Sequence, residues 1–175
     1  IMSADNLLSF PDFRANERAF QLIEQVAGRT GRRTSKGKVV IQAMKPRHSI
    51  IQLALNHDFT GMQSKELSVR REYQYPPFVR LITITLKHRD QKLLQRAAGE
   101  FARSLHSKIG DRFLGPEFAP IARLKNLYQM QIIVKVDKGS IGAKVRKRIK
   151  KSHQEVLLTP DFNRVKVVFD VDPNS

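Results

Sequence analysis

From Val79 to Val171 the chain switches between strand-like and helix-like hydrophobic periods in an order that leaves few folds open. Residues 79–86 alternate between two faces, Leu81, Thr83 and Thr85 against Ile82, Ile84 and Leu86, as a half-buried strand does. Leu94, Ala98, Phe101, Leu105 and Ile109 then recur at helical spacing behind Asp90, whose short carboxylate suits an amino-terminal cap. A segment from Phe113 to Leu124 reads as a strand interrupted by Pro116 and Pro120. Proline cannot donate to a ladder, so this strand belongs at a sheet edge. Lys125-Asn126 is a turn, and Tyr128 to Val136 alternates again through Met130, Ile132, Val134 and Val136. Ile141, Val145 and Ile149 form a narrow helical stripe that continues to about Leu157, and Val165 to Val171 reads as a last strand. The order β-α-β-β-α-β is that of the ferredoxin-like, split β-α-β arrangement, an antiparallel sheet with two helices on one face. The predicted fold class is α+β.

The residues ahead of this unit are organised differently. Residues 11–27 predict a helix entered at Pro11 with Asp12 in its first turn, an apolar stripe of Phe13, Phe20, Ile23 and Ala27, and an end at Gly28 and Gly31. After the loop TSKGK, Val39 to Ala43 is short and β-branched and reads as a buried strand closed by Pro46. Residues 48–73 are helical in pattern, breaking near His57-Asp58 or at Gly61. Tyr75-Pro76-Pro77-Phe78 cannot continue a helix; it reads as a rigid corner before the second unit.

Composition narrows the partners. The chain carries 32 Lys and Arg against 16 Asp and Glu, a formal charge of +16 in 175 residues. Such an excess concentrates polyanions, so nucleic acid is the first class to consider and an acidic membrane surface the second. No apolar run is long enough to cross a bilayer, and no cleavable signal pattern opens the chain. The absence of cysteine excludes disulfides and thiolate metal sites and agrees with a cytoplasmic location. The five histidines lack ligand spacing, so no metal site is predicted. Ile1 is no natural initiator, and the chain is expected to be a piece of something longer with partners upstream.

The stretch Gln25-Val26-Ala27-Gly28-Arg29-Thr30-Gly31-Arg32 sets two guanidinium groups three residues apart beside two glycines. Guanidinium is planar, permanently charged and matched to phosphate oxygens, and glycine lets backbone approach a nucleotide without a Cβ clash. The pair suits an arginine-finger role in a nucleotide site built mainly by another lobe. A plainer reading also fits: arginines favoured by the dipole at a helix carboxyl end, with Gly31 just past it.

This string resembles motif VI of superfamily-two helicases, and its setting resembles one branch, the primosomal replication-restart DNA helicases. Ala4-Asp5, Pro11-Asp12-Phe13-Arg14 and Glu17-Arg18 are similar to that family's lead into the motif. Gly37 to Ile41, Glu66-Leu67 with Arg70-Arg71, Tyr75-Pro76-Pro77-Phe78, Gly115-Pro116, Ala119 to Arg123 and Asp170-Val171-Asp172-Pro173 continue the likeness along nearly the whole chain. The resemblance implies that residues 1–46 end the second, RecA-like helicase lobe. It makes 47–78 a helical connector with the YPPF corner, and 79–175 a carboxyl-terminal domain similar to a small-subunit ribosomal protein. Arg29 and Arg32 would then be catalytic, with Gln25, Gly28 and Gly31 shaping the same nucleotide-facing turn. The whole protein would be a 3′-to-5′ helicase using ATP and magnesium, with zinc held outside this chain. Its expected partners are branched or forked DNA, the acidic tail of a single-strand-binding protein, and other primosome proteins. Neither a phosphate-binding loop G-x-x-x-x-G-K-[ST] nor a D-E-x-H box occurs here, so this piece alone is expected to bind no cofactor and to be inactive.

One further segment draws attention by its charge. KGSIGAKVRKRIKKSH contains Lys144, Arg146, Lys147, Arg148, Lys150 and Lys151 with no carboxylate among them. A solvated helix face usually mixes signs, and this one does not, which favours contact with DNA backbone or an acidic tail. Tyr128 and Phe162 could stack bases but are expected to be structural. Asp170 and Asp172, two apart on a strand, could hold magnesium but are expected to face solvent or pair with lysine. The competing reading of the chain is a free-standing basic module that binds RNA or protein without any ATPase.

Overall fold

A computed structural model describes residues 2–10, 12–30 and 38–173 of the chain. It divides into two units, Ile1–Tyr73 and Gln74–Ser175.

In the first unit the order is β1 (Met2–Ser3), α1 (Asp5–Leu8), α2 (Ala15–Thr30), β2 (Ile41–Gln42), α3 (Ser49–Leu55) and α4 (Phe59–Glu72). β1 and β2 pair in parallel, Met2 opposite Ile41 and Ser3 opposite Gln42. The Asp5 carboxylate extends this join by accepting from the Met44 amide at 3.0 Å. Ala4, Ala19, Phe20, Ile23, Ile50, Ile51, Ala54 and Met62 form the core. Helix α2 begins at Ala15 rather than at residue 11, because residues 12–14 form a turn that the Asp12 side chain holds. Its carboxylate accepts from the Arg14 amide at 3.0 Å and pairs with Arg18 at 2.9 Å. Pro11 lies outside the described residues. The helix is not ended by Gly28 but runs through it to Thr30. A terminating glycine takes the left-handed conformation; Gly28 is not among the positive-φ glycines. The buried strand expected over 39–43 is also corrected: only Ile41 and Gln42 pair, and Val40 and Gln42 are exposed. Two strands of two residues have too little ladder to bury both faces. The break between α3 and α4 falls at His57-Asp58. His57 takes φ 54°, and the Asp58 carboxylate caps α4 by accepting from the Gly61 amide at 2.8 Å.

The second unit runs β3 (Arg80–His88), α5 (Gln91–Ile109), β4 (Phe113–Leu124), β5 (Leu127–Val136), α6 (Ser140–Ser152), a π-helical turn (His153–Leu157) and β6 (Lys166–Val171). The strands form one antiparallel sheet in the order β4-β5-β3-β6. The molecule is therefore α+β, with the strand and helix order that the periodicity predicts. Ile82, Ile84 and Leu86 of β3 and Met130, Ile132, Val134 and Val136 of β5 join Leu94, Ala98, Phe101 and Leu105 of α5 and Val145 and Ile149 of α6 in one core. The other face of the sheet carries Thr83, Thr85, Lys87, Gln129, Gln131 and Lys135.

β4 is an edge strand, and its register slips between Leu114 and Glu117 and again between Phe118 and Arg123, the stretches that hold Pro116 and Pro120. Gly115 permits the first slip. It has φ 92°, and a Cβ there would lie 2.6 Å from the Gln131 carbonyl oxygen. α6 begins under a similar constraint, since a Cβ on Gly142 would lie 2.3 Å from the Asp137 carbonyl oxygen. Its other end is tied to α5. The buried Ser152 hydroxyl accepts from Ser104 at 3.0 Å, and Lys108 reaches Ser104 at 2.9 Å and Glu155 at 2.6 Å.

Candidate nucleotide and nucleic-acid interfaces

α2 buries Phe20 and Ile23 and leaves its opposite side open. Gln25, Gly28 and Arg29 are all exposed, and their spacing of three and four residues places them on one face of the helix. Gln25 lines a shallow groove with Leu7, Arg18, Gln21 and Leu22. Arg29 sits in the last turn, where the helix dipole favours a cation, and forms no ion pair among the described residues. Arg32 and Gly31, the other members of the expected cluster, lie outside the described residues. A Cβ on Gly28 would meet nothing within 4 Å, so the fold of this unit does not require glycine there.

Besides its core contacts, α2 is joined to α4 by a polar clamp that the sequence reading does not anticipate. Arg70 of α4 donates to Glu17 at 2.6 Å, and its guanidinium lies over the Phe13 ring at 5.2 Å. Glu66, one turn before Arg70 and nearly buried, accepts from the Asn16 side chain at 3.0 Å and faces Arg70 at 3.9 Å. In the sequence Glu66 and Arg70 enter only through the family likeness of Glu66-Leu67 and Arg70-Arg71. Their spacing of four on a helix, with acid ahead of base, was the available signal.

On α6, Lys144, Arg146, Lys147, Arg148, Lys150 and Lys151 are all exposed, while Val145 and Ile149 are buried beneath them. Lys151 approaches Glu155 at 3.7 Å, and Glu155 also takes a hydrogen bond from Lys108. That bond, together with both cations, holds the Glu155 carboxyl below the usual carboxylate range. The remaining five cations form no ion pair among the described residues. Between α6 and β6 lies an apolar groove of about 380 Å³ floored by Ile82, Ile149, Phe169 and Val171 and edged by Arg146, Lys150 and His153. The His153 ring meets Phe169 edge-on at 5.4 Å, and burial lowers its pKa.

The remaining candidates are placed as follows. Tyr128 is half-buried against the core with the Arg123 guanidinium 5.1 Å over its ring, and Phe162 is buried in the same core. Asp172 is not on the strand with Asp170. It follows β6 at φ 53°, and it pairs with an arginine rather than a lysine: Arg80 Nε donates to it at 2.7 Å. This bond pulls the Asp172 carboxyl down and raises Arg80. Tyr75 of the proline corner has the Lys135 ammonium 4.8 Å from its ring centre, and burial lowers the Lys135 pKa. No helix among the described residues is long and apolar enough to cross a membrane.

The two units thus define an α+β chain that offers an exposed guanidinium-bearing helix in one and a strongly basic helix on an antiparallel sheet in the other. The chain belongs to the family of the primosomal protein N C-terminal domain, whose profile matches residues 71–174. It is similar to the replication restart protein PriA of Bacillus subtilis, 34% identical over 175 residues that take in 99% of this chain and 21% of that protein. It is also similar to the proteins of the same name from Synechocystis, 37% identical over 139 residues (77% of this chain, 16% of that protein). The one from Chlamydia pneumoniae is 32% identical over 179 residues (99% and 23%). The chain spans about a fifth of the length of these relatives.

Proposed function

We propose that this chain is the carboxyl-terminal part of an ATP-dependent 3′-to-5′ DNA helicase that acts in replication restart. The observation that carries the reading is the exposed α2 stripe of Gln25, Gly28 and Arg29 in a chain whose relatives are named replication restart proteins. An exposed guanidinium at a helix end, in no ion pair among the described residues, fits the phosphates of a nucleotide. Arg29 and Arg32 would stabilise charge on the transferring phosphoryl group. Gln25, Gly28 and Gly31 would shape the surface that faces it. The parallel β1–β2 pair, joined through α2, suits the last part of a RecA-like lobe. In the second unit the strand order β4-β5-β3-β6 supports the ferredoxin-like assignment.

In this reading magnesium acts with ATP at the completed cleft, and zinc lies elsewhere in the whole protein. The chain without its other lobe is inactive. The exposed cations of α6 contact the phosphate backbone of forked DNA or the acidic tail of a single-strand-binding protein, with other primosome proteins as further partners. The protein works in the cytoplasm.

The test is Arg29→Ala in the full-length protein, with DNA-stimulated ATP hydrolysis and DNA affinity measured together. The expected result is a loss of turnover of about a thousandfold or more, in the range seen for arginine fingers, with affinity for forked DNA retained. Unchanged turnover would overturn the assignment.

A further inference from the structure

The cations of the second unit are distributed unevenly along the sheet. At one end of β3, Arg80 is paired with Asp172, and close by Arg112 is paired with Asp137. At the other end stand Lys87 and Arg89 at the close of β3, Arg123 and Lys125 at the β4–β5 turn, and Arg164 and Lys166 at the start of β6. None of these six forms an ion pair among the described residues. The strand register places three of them at this end of the sheet: Lys87 lies opposite Lys166 on the face of Thr83 and Thr85, and Arg123 lies opposite Tyr128, which in turn lies opposite His88.

The Lys87–Lys166 pair is informative. Directly opposite residues on neighbouring antiparallel strands have Cβ atoms about 5 Å apart, and like charges in that position are destabilising. The nearest carboxylate in sequence, Asp90, is already engaged. It caps α5 by accepting from the Leu93 amide at 3.0 Å, and that bond lowers its pKa. Asp161, in the turn before β6, forms no ion pair among the described residues. The fold therefore sets like charges opposite one another with no ion pair to them among the described residues, while Arg80 and Arg112 at the other end are paired. Arg123 is also pre-oriented, since its guanidinium rests on the half-buried Tyr128 ring.

We propose that this end of the sheet is a phosphate-backbone-binding surface, distinct from α6, that takes a nucleic-acid strand. The recurring charge suits a polyanion with regular spacing. The recurring element of the cluster is positive charge, which meets phosphates at any sequence, so the contact inferred here is to backbone rather than to bases. The inference shares with the function proposed above the view that this unit contacts nucleic acid, and its test separates the two.

The 175-residue chain is compared with two variants. One carries Arg123→Glu, Lys125→Glu, Arg164→Glu and Lys166→Glu; the other carries Lys147→Glu, Arg148→Glu, Lys150→Glu and Lys151→Glu. Affinity is measured by fluorescence anisotropy for labelled forked DNA across a salt series, and for a labelled glutamate-rich peptide. Each lost phosphate contact lowers the slope of log affinity against log salt by about 0.9 on duplex and about 0.7 on single strand. The sheet-end variant is therefore expected to lose about three from the slope while keeping its peptide affinity. An unchanged slope in that variant overturns the inference. If the α6 variant then loses DNA binding, the DNA contact proposed above for α6 survives alone; if it does not, that contact fails as well, and the nucleotide role of Arg29 stands on its own test. Loss of peptide binding with DNA binding intact also overturns the inference and assigns the surface to an acidic protein. Thermal unfolding checks that the variants fold. Should the fourfold reversal not fold, Lys125→Gln with Lys166→Gln is expected to remove about half as much slope, and no change there overturns the inference equally.

Discussion

Removing the Glu66 carboxylate tests the clamp on α2 most cleanly. In Glu66→Ala the Asn16 amide loses its acceptor at 3.0 Å, and Arg70 loses the carboxylate at 3.9 Å while keeping Glu17 at 2.6 Å. Glu66 is only 5% exposed, so water does not freely replace what is removed. Leaving a buried donor unsatisfied costs about 1–3 kcal/mol. Stripping one partner from a buried pair costs about 3–5 kcal/mol, a figure that applies only in part because Glu17 remains. About 2 kcal/mol is the resulting expectation. In a unit of this size it lowers the melting temperature by about 8–16 °C. Glu66→Gln keeps an oxygen for Asn16 and loses only the charge facing Arg70, so about half that effect is expected. Native-state hydrogen exchange is the assay, because it reads the two units separately. Amides of α2 and α4 should exchange faster in Glu66→Ala, with those of β3 and β5 unchanged. Equal protection of α2 and α4 in the alanine variant and the unsubstituted chain would refute the clamp.

Two other predictions concern stability. Gly28→Ala should stabilise the first unit by about 1 kcal/mol, because glycine is a poor helix former and the added Cβ meets nothing. Destabilisation, measured by thermal unfolding, would contradict the open helical placement. The second follows from carboxylates held below their unfolded values, Asp172 by Arg80 and Glu155 by Lys108. Their stabilisation is complete above the unfolded range of about pH 4 and is lost as pH falls through the folded values. Unfolding followed against pH should therefore show stability of the second unit declining below about pH 4, and less steeply in Asp172→Asn with Glu155→Gln. An identical slope in the double variant would discard the assignment.

The second unit was legible because its strands and helices each keep one period long enough to count. Ile82, Ile84 and Leu86, and Leu94 through Ile109, point to one core whatever their neighbours do. The first unit was harder to read. Gly28 looked like a helix stop, but a glycine ends a helix only where the backbone turns left-handed, and nothing in the residue itself says whether it will. Val39 to Ala43 reads as a buried strand by composition, yet burial depends on what lies against a strand, and among the described residues β1 alone pairs with it. Arg29 stands out by residue type and by its spacing from Arg32, not by its place on the helix, and the clamp at the other end of α2 joins residues about fifty apart. Asp172 shows the same limit: its partner Arg80 stands 92 positions away, and no local pattern announces that bond. The cations at the sheet end were equally hidden, since they come from three strand ends that are close only after folding.

The most direct measurement is the salt dependence of forked-DNA binding by the unaltered 175-residue chain. If the exposed cations of the second unit meet DNA phosphates at six or more positions, affinity should fall by about a thousandfold or more between 50 and 200 mM salt. An affinity that is absent at low salt, or that stays the same across that range, would contradict the account.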